Sequence, residues 1–170
     1  MPVEQVLRKR RKARVIHVGS VKIGGDAPIV IQSMTNTDTR DIEATVRQIH
    51  ELQEAGCEIV RVAIPDKQAV DAIPVIKKSI QVPLIADIHF HYQYALDAIK
   101  NGADGIRINP GNIAKNKIVE IVRAAKEHRT VIRIGVNAGS LQKDLVAKHG
   151  GVTAEAMYAS ALRNIEIFED

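Results

Sequence analysis

The chain has no tryptophan, two phenylalanines and three tyrosines among its 170 residues. Its core must therefore be aliphatic, and a surface that stacks bases on interleaved aromatics is not what this composition builds. It has a single cysteine, Cys57. One thiol cannot make an internal disulfide, and alone it cannot hold a structural zinc or an iron–sulfur cluster; the expected state of Cys57 is a buried, inert thiol. No apolar run approaches the ~18 residues of a membrane span, and no apolar segment with a cleavage site follows the basic start. No membrane partner is expected, and the cytoplasm is the expected compartment. A Gly-x-Gly-x-x-Gly turn is missing as well, which argues against an open dinucleotide-binding sheet.

What is present begins with charge. Arg8, Lys9, Arg10, Arg11, Lys12 and Arg14 carry more than the whole formal net charge of +4, so the rest of the chain is slightly acidic. Residues 1–14 read as a solvated basic arm, and no nucleic-acid partner is expected, because no nucleic-acid fold follows it. Apolar segments on either side of Gly19-Ser20 then signal a hairpin. After Gly24-Gly25 a repeat sets in. Strands are expected over 28–33, 59–63, 84–88, 105–108 and 131–136, and helices over 41–55, 67–79, 92–101, 113–128 and 153–168. Strand centres lie ~25–30 residues apart, as βα units require, and Pro74 is expected to kink the second helix. Five consecutive βα units predict a TIM-type (β/α)8 barrel, truncated here to about five units after an N-terminal hairpin, with residues 15–170 forming the partial barrel domain. Two sheet edges would then stay open.

Three of the strands share an oddity. Ile59-Val60-Arg61-Val62, Gly105-Ile106-Arg107-Ile108 and Val131-Ile132-Arg133-Ile134 each place one arginine in an apolar run. Buried parallel strands are normally apolar throughout. With period two, Arg107 shares a face with Asn109, and Arg133 with Gly135 and Asn137. In barrels the active site lies at the C-terminal ends of the strands, where this sequence has Gln32, Ser33, Arg61, Asp87, His89, Arg107, Asn109, Arg133 and Asn137. Guanidinium forks match phosphate oxygens, so a multiply charged anion is the expected guest. Pairing of each arginine with a buried acid such as Asp87 or Asp104 is the alternative. Asp87 and His89 stand at i, i+2, a spacing suited to acid–base work. With His91 they read Asp-x-His-x-His, which by spacing alone could ligate a metal, but no second ligand group stands at another strand end.

Five motifs in order and spacing, Gln32-Ser33-Met34-Thr35-Asn36-Thr37, Ile59-Val60-Arg61-Val62, Ala86-Asp87-Ile88-His89-Phe90, Arg107-Ile108-Asn109-Pro110-Gly111-Asn112-Ile113 and Arg133-Ile134-Gly135-Val136-Asn137-Ala138-Gly139-Ser140-Leu141, closely resemble the 4-hydroxy-3-methylbut-2-en-1-yl diphosphate synthases. The resemblance implies an oxidoreductase of non-mevalonate isoprenoid biosynthesis. Its barrel binds 2-C-methyl-D-erythritol 2,4-cyclodiphosphate, which undergoes two-electron reductive ring opening. It further implies a separate C-terminal domain with a [4Fe-4S] cluster, flavodoxin or ferredoxin as electron donor, and a homodimer. Carried over by motif, Arg61, Arg107, Arg133, Asn109 and Asn137 hold the diphosphate, and Asp87 and His89 line the pocket near the ring; Gln32 and Ser33, at the end of the first strand, are expected to bind substrate as neutral groups. The cluster domain and the last three strands are not in this sequence, so the chain alone is expected to be inactive and to bind no cluster. A barrel fragment that associates with a complementary chain, and a phosphate-binding transferase of the pterin-binding type, are the other readings.

Overall fold

The computed structural model describes residues 11–89 and 91–169. Residues 1–10, most of the expected basic arm, lie outside the described residues. Its last part is not loose, because the Ala13 carbonyl accepts a hydrogen bond from Gly25 N at 3.2 Å. Strands β1 (Ile16–Val18) and β2 (Val21–Ile23) form the expected antiparallel hairpin, with Val18 opposite Val21. Gly19 makes the turn at φ +55°, in the left-handed region that side chains disfavour.

A parallel sheet follows, formed by β3 (Gln32–Met34), β4 (Ile59–Ile64), β5 (Leu84–Ile88), β6 (Gly105–Ile108) and β7 (Val131–Ile134), neighbours in sequence order. Each strand is followed by helix: α1 (Ile42–Glu54), α2 (Lys67–Ser79), α3 (Tyr92–Lys100), α4 (Lys115–His128), then α5 (Lys143–Lys148) and α6 (Ala154–Glu169) after β7. Helix α5 is absent from the sequence-based expectation: six residues are too few to display an apolar stripe. Asp41 and Asp66 begin α1 and α2 by accepting bonds from Ala44 N and Ala69 N, both at 3.0 Å, a cap that contributes about 1 kcal/mol.

Two expected strands are shorter than their apolar runs. Gln32 pairs with Ile59, the first residue of β4, so residues 28–30 overhang the neighbouring strand, while the Ile31 carbonyl still accepts from Glu58 N at 2.8 Å and Ile59 N at 3.3 Å; Ile29 and Ile31 are exposed. At the other edge β7 ends at Ile134, because its partner β6 ends at Ile108, although Gly135 N still donates to Ile108 O at 2.8 Å. Pro74 sits inside α2, which runs through it. A proline lacks the N–H that would bond the carbonyl four residues back. Here that carbonyl, Val70 O, receives the Asn101 side-chain amide at 2.9 Å instead.

Alternation sorts the side chains into two clusters. Val60, Val62, Ile64, Leu84, Ala86, Ile88, Ile106 and Ile108 face the helices and pack on Val70, Ile73 and Ile76 of α2, Ala95 and Ile99 of α3 and Ile121 of α4. Burial of each large aliphatic contributes about 1.5–3 kcal/mol. On the opposite, concave face, Ile59, Ile85 and Val131 meet Val18, Val21 and Ile23 of the hairpin, which closes the N-terminal end. The sheet is strongly curled. Its outer strands, β3 and β7, would stand four spacings of about 4.8 Å apart if it were flat, yet Gln32 and Arg133 hydrogen-bond across the concave face at 2.8 Å.

Candidate anion site at the C-terminal ends of the strands

One pleat above the apolar layer, the concave face turns polar. Register sets this: Asp87 pairs with Ala63 on one side and Arg107 on the other, and Arg107 pairs with Arg133. Arg61 lies one layer lower, opposite Met34 and Ile85. Two of the three arginines thus meet at a single acid, and the third, Arg133, stands beside Arg107 in register. Asp87 Oδ2 takes Arg61 Nε at 3.3 Å and Asp87 Oδ1 takes Arg107 Nη1 at 3.2 Å. His89 Nε2 lies 3.4 Å from the same Oδ1. Asp87 is 3% exposed, whereas the His89 side chain is half-exposed.

The pairing alternative is therefore half realised. Asp87 does neutralise, but it serves two guanidiniums at once. Asp104 serves neither, because it accepts from Leu84 N at 2.7 Å and pairs with Lys77 at the far end of the strands. Arg133 is held by the neutral amide of Gln32. Three guanidiniums against one carboxylate leave an excess of two positive charges on this face. Arg61 Nε also reaches Met34 Sδ at 3.2 Å, a weak acceptor that adds little to what its share of Asp87 supplies.

Neutral donors complete the arrangement in part. Asn109, 2% exposed, follows β6 and accepts from Gly111 N through Oδ1 at 3.2 Å. Its Nδ2 is buried with no partner. A buried donor left unsatisfied costs about 1–3 kcal/mol, so this one is suited to an incoming acceptor. Asn137 lies in extended backbone just beyond β7 and is exposed; its own backbone carbonyl accepts from Ser140 N and Oγ at 3.1 Å. Ser33 is a correction. It pairs in register with Val60, whose side chain belongs to the helix-facing core, so Ser33 lies on the opposite face from Gln32 and Met34. The alternation that placed the arginines would have placed Ser33 as well.

Period two puts Gly135 on the face of Arg133, but it is Arg107, on the neighbouring strand, that it meets. A methyl group built there would lie 2.3 Å from Arg107 Nε and 2.4 Å from Nη2, so the guanidinium rests on the bare backbone of this residue. Beside the charged cluster a cavity of about 180 Å³ is lined by Ala63, Ile64, Pro65, His89, His91 and Tyr94; Asp87 does not line it. The His91 and Tyr94 rings stack obliquely, 5.1 Å apart. Among the described residues no three His, Cys, Asp or Glu side chains converge in a way that could hold a metal ion. Cys57 is buried between α1 and β4 and donates to Ile59 O at 3.0 Å. No described helix is long and apolar enough to cross a membrane.

Comparison with known proteins places this geometry in context. The model of the GcpE TIM-barrel domain matches residues 13–170. The 4-hydroxy-3-methylbut-2-en-1-yl diphosphate synthase (flavodoxin) of Thermodesulfovibrio yellowstonii is 60% identical over 163 residues, 95% of this chain and 47% of that relative. The protein of the same name from Lawsonia intracellularis is 57% identical over 162 residues, again 95% of this chain and 45% of the relative. The chain thus spans just under half the length of these curated relatives. Among solved structures, the dihydropteroate synthase of Yersinia pestis aligns with a TM-score of 0.58 at 10% identity, over 90% of this chain and 58% of that one. The Xanthomonas albilineans dihydropteroate synthase in complex with 7,8-dihydropteroate aligns at 0.54 and 16%, over 88% and 61%. At such identities the likeness shows a shared TIM-barrel fold and nothing about ligands.

Proposed function

The chain belongs to the GcpE TIM-barrel family, and on that premise we propose that it is the substrate-holding barrel part of a 4-hydroxy-3-methylbut-2-en-1-yl diphosphate synthase. The substrate is 2-C-methyl-D-erythritol 2,4-cyclodiphosphate, bound at the C-terminal mouth of the sheet and opened reductively with two electrons from flavodoxin. The observation that carries this reading is the charge excess on the concave face: three guanidiniums share one carboxylate and one neutral amide. Such a cluster is costly without a guest, and a diphosphate has the charge and the several oxygens that make it tolerable.

Each residue has a task in this scheme. Asp87 aligns Arg61 and Arg107 by holding one nitrogen of each, and the rest of each fork stays available for phosphate oxygens. Arg133 is tethered to a weaker partner, Gln32, and exchanges it for the anion. Asn109 Nδ2 gives a neutral hydrogen bond from a buried position. His89, beside Asp87 and lining the adjoining cavity, stands where a proton can be delivered to or taken from the ring end of the substrate. Asn137 adds a donor from the loop after β7.

An iron–sulfur cluster does not fit this chain's own donors. Its one cysteine is buried between α1 and β4 and is already bonded to a backbone carbonyl, and a [4Fe-4S] centre takes several thiolates. The redox centre therefore belongs to sequence other than these 170 residues, and what the barrel part supplies is binding and orientation. A cytoplasmic location and a homodimer of the complete synthase go with this reading.

Calorimetric titration with the cyclodiphosphate tests the proposal. Arg107→Ala should weaken binding by more than about 1.5 kcal/mol, the scale of a lost charge-assisted hydrogen bond. An affinity equal to that of the unsubstituted protein would overturn the anion role.

A further inference from the structure

We propose that Gly135 is a positioning residue for Arg107: the side chain it lacks is the seat of the guanidinium, and that seat sets the direction in which Arg107 presents its fork to an anion. The inference rests on the anion-site reading above and extends it to a residue that touches no ligand.

Gly135 has no conformational reason to be glycine. The described glycines with φ in the left-handed region are Gly19, Gly24, Gly25, Gly56, Gly102, Gly150 and Gly151, and Gly135 is not one of them. Its backbone is of a kind any residue adopts, in a segment that continues the β6–β7 ladder through the bond from Gly135 N to Ile108 O at 2.8 Å. Glycine in such a place weakens a strand and packs nothing. What it does provide is room. A Cβ at this position would stand 2.3 Å from Arg107 Nε, 2.4 Å from Nη2 and 2.5 Å from Cζ, all far inside van der Waals contact. The ladder bond holds the backbone, so the guanidinium is the group that has to leave. An arginine tip moves at small cost, and the fold therefore survives the intrusion while the geometry does not.

The consequences follow from which nitrogens are engaged. Nη1 faces Asp87 at 3.2 Å, and the Nε–Nη2 edge lies over Gly135. Lifting the guanidinium off position 135 swings that edge and draws Nη1 away from Asp87 together. Asp87 is then left with Arg61 and His89, and the anion loses the fork that Asp87 had aligned. Arg133 is held from the other side by Gln32 and keeps its place.

The test is a double-substitution cycle read with inorganic pyrophosphate by calorimetry, beside thermal unfolding and the arginine Nε–H resonances of the labelled protein. Gly135→Ala is expected to keep the unfolding temperature and to weaken pyrophosphate binding by about tenfold or more, the scale of one charge-assisted contact. Arg107→Ala should weaken it similarly, and the double variant no further, because both substitutions remove the same interaction. Without any ligand, Gly135→Ala should shift the Arg107 Nε–H resonance, identified by its loss in Arg107→Ala, and leave that of Arg133 in place. Full binding in Gly135→Ala, or losses that add in the double variant, would overturn the role of Gly135 while leaving the anion site intact. An unmoved Arg107 resonance would overturn it too. Pyrophosphate binding that is indifferent to Arg107→Ala would instead overturn the anion-site reading, and the resonance shift would still decide whether Gly135 seats the guanidinium.

Discussion

The two ends of the concave face are built on the same strands, two residues apart, and they differ in almost everything else. At the N-terminal end Ile59, Ile85 and Val131 pack on Val18 of the hairpin. One pleat further on, the same three strands present Arg61, Asp87 and Arg133, with Arg107 between the last two. The hydrogen-bonded ladder runs unchanged through both layers, so the backbone is not what separates them. The lower layer removes apolar surface from water and stabilises the fold. The upper layer brings like charges together and costs stability, a cost tolerated where a guest relieves it. A barrel divided in this way keeps its ligand geometry on strands that are anchored elsewhere.

Ile59→Ala is the strongest way to break that division. Ile59 is 1% exposed, and deletion of such a side chain should cost about 2–5 kcal/mol of unfolding free energy. If the two ends are independent, the folded fraction should still bind pyrophosphate with unaltered affinity. Urea denaturation followed by titration below the transition measures both, and an affinity that falls along with stability would show the layers to be coupled.

Asp87→Asn addresses the upper layer directly. Breaking a fully buried ion pair costs 3–5 kcal/mol, but the Arg61 and Arg107 side chains retain 23% and 17% exposure, so a loss of about 2 kcal/mol is expected here. Its signature distinguishes it from the loss at Ile59. The freed guanidiniums gain more from an added anion than those of the unsubstituted protein, so pyrophosphate should raise the melting temperature of Asp87→Asn by the larger increment. Equal increments would mean that the carboxylate does not restrain the cluster.

The contrast between the ends was legible in the sequence to the extent that it follows from period two. An arginine between β-branched residues on three strands puts Arg61, Arg107 and Arg133 on one face and the helix-facing aliphatics on the other. Strand ends were less legible. Residues 28–31 look like strand by composition, but the register of Gln32 against Ile59 carries residues 28–30 past the start of β4, and register is a property of two segments. Ser33 belongs to a polar motif, but its parity with Val60 turns it to the helix side. The sharing of Asp87 by two arginines, and the rest that Gly135 offers Arg107, depend on which side chains meet across the curl. A single strand's sequence does not contain that.

The smallest effect sharpens the comparison by separating charge at the rim from charge in the lumen. In the loop between β3 and α1, Arg40 pairs with Asp38 at 2.5 Å and Asp66 at 3.1 Å, all three partly exposed. The guanidinium holds the Asp38 carboxyl down from 3.8 to about 2, through its side-chain hydrogen bonds first and the Arg40 backbone N–H second. A carboxyl whose folded value is depressed favours the fold in its ionised form. Its contribution is thus complete above pH ~4 and disappears as the pH falls towards 2. Asp38→Asn should flatten that part of the curve of melting temperature against pH, by a small amount that about 1 M salt erases; superimposable curves would mean the pair stabilises nothing. Arg40→Ala should leave pyrophosphate affinity where it was, since two carboxylates already answer this guanidinium. A cation answered by two carboxylates has little to offer an anion; Arg107, which shares its carboxylate with Arg61, and Arg133, held by a neutral amide, are the ones whose removal the ligand should feel.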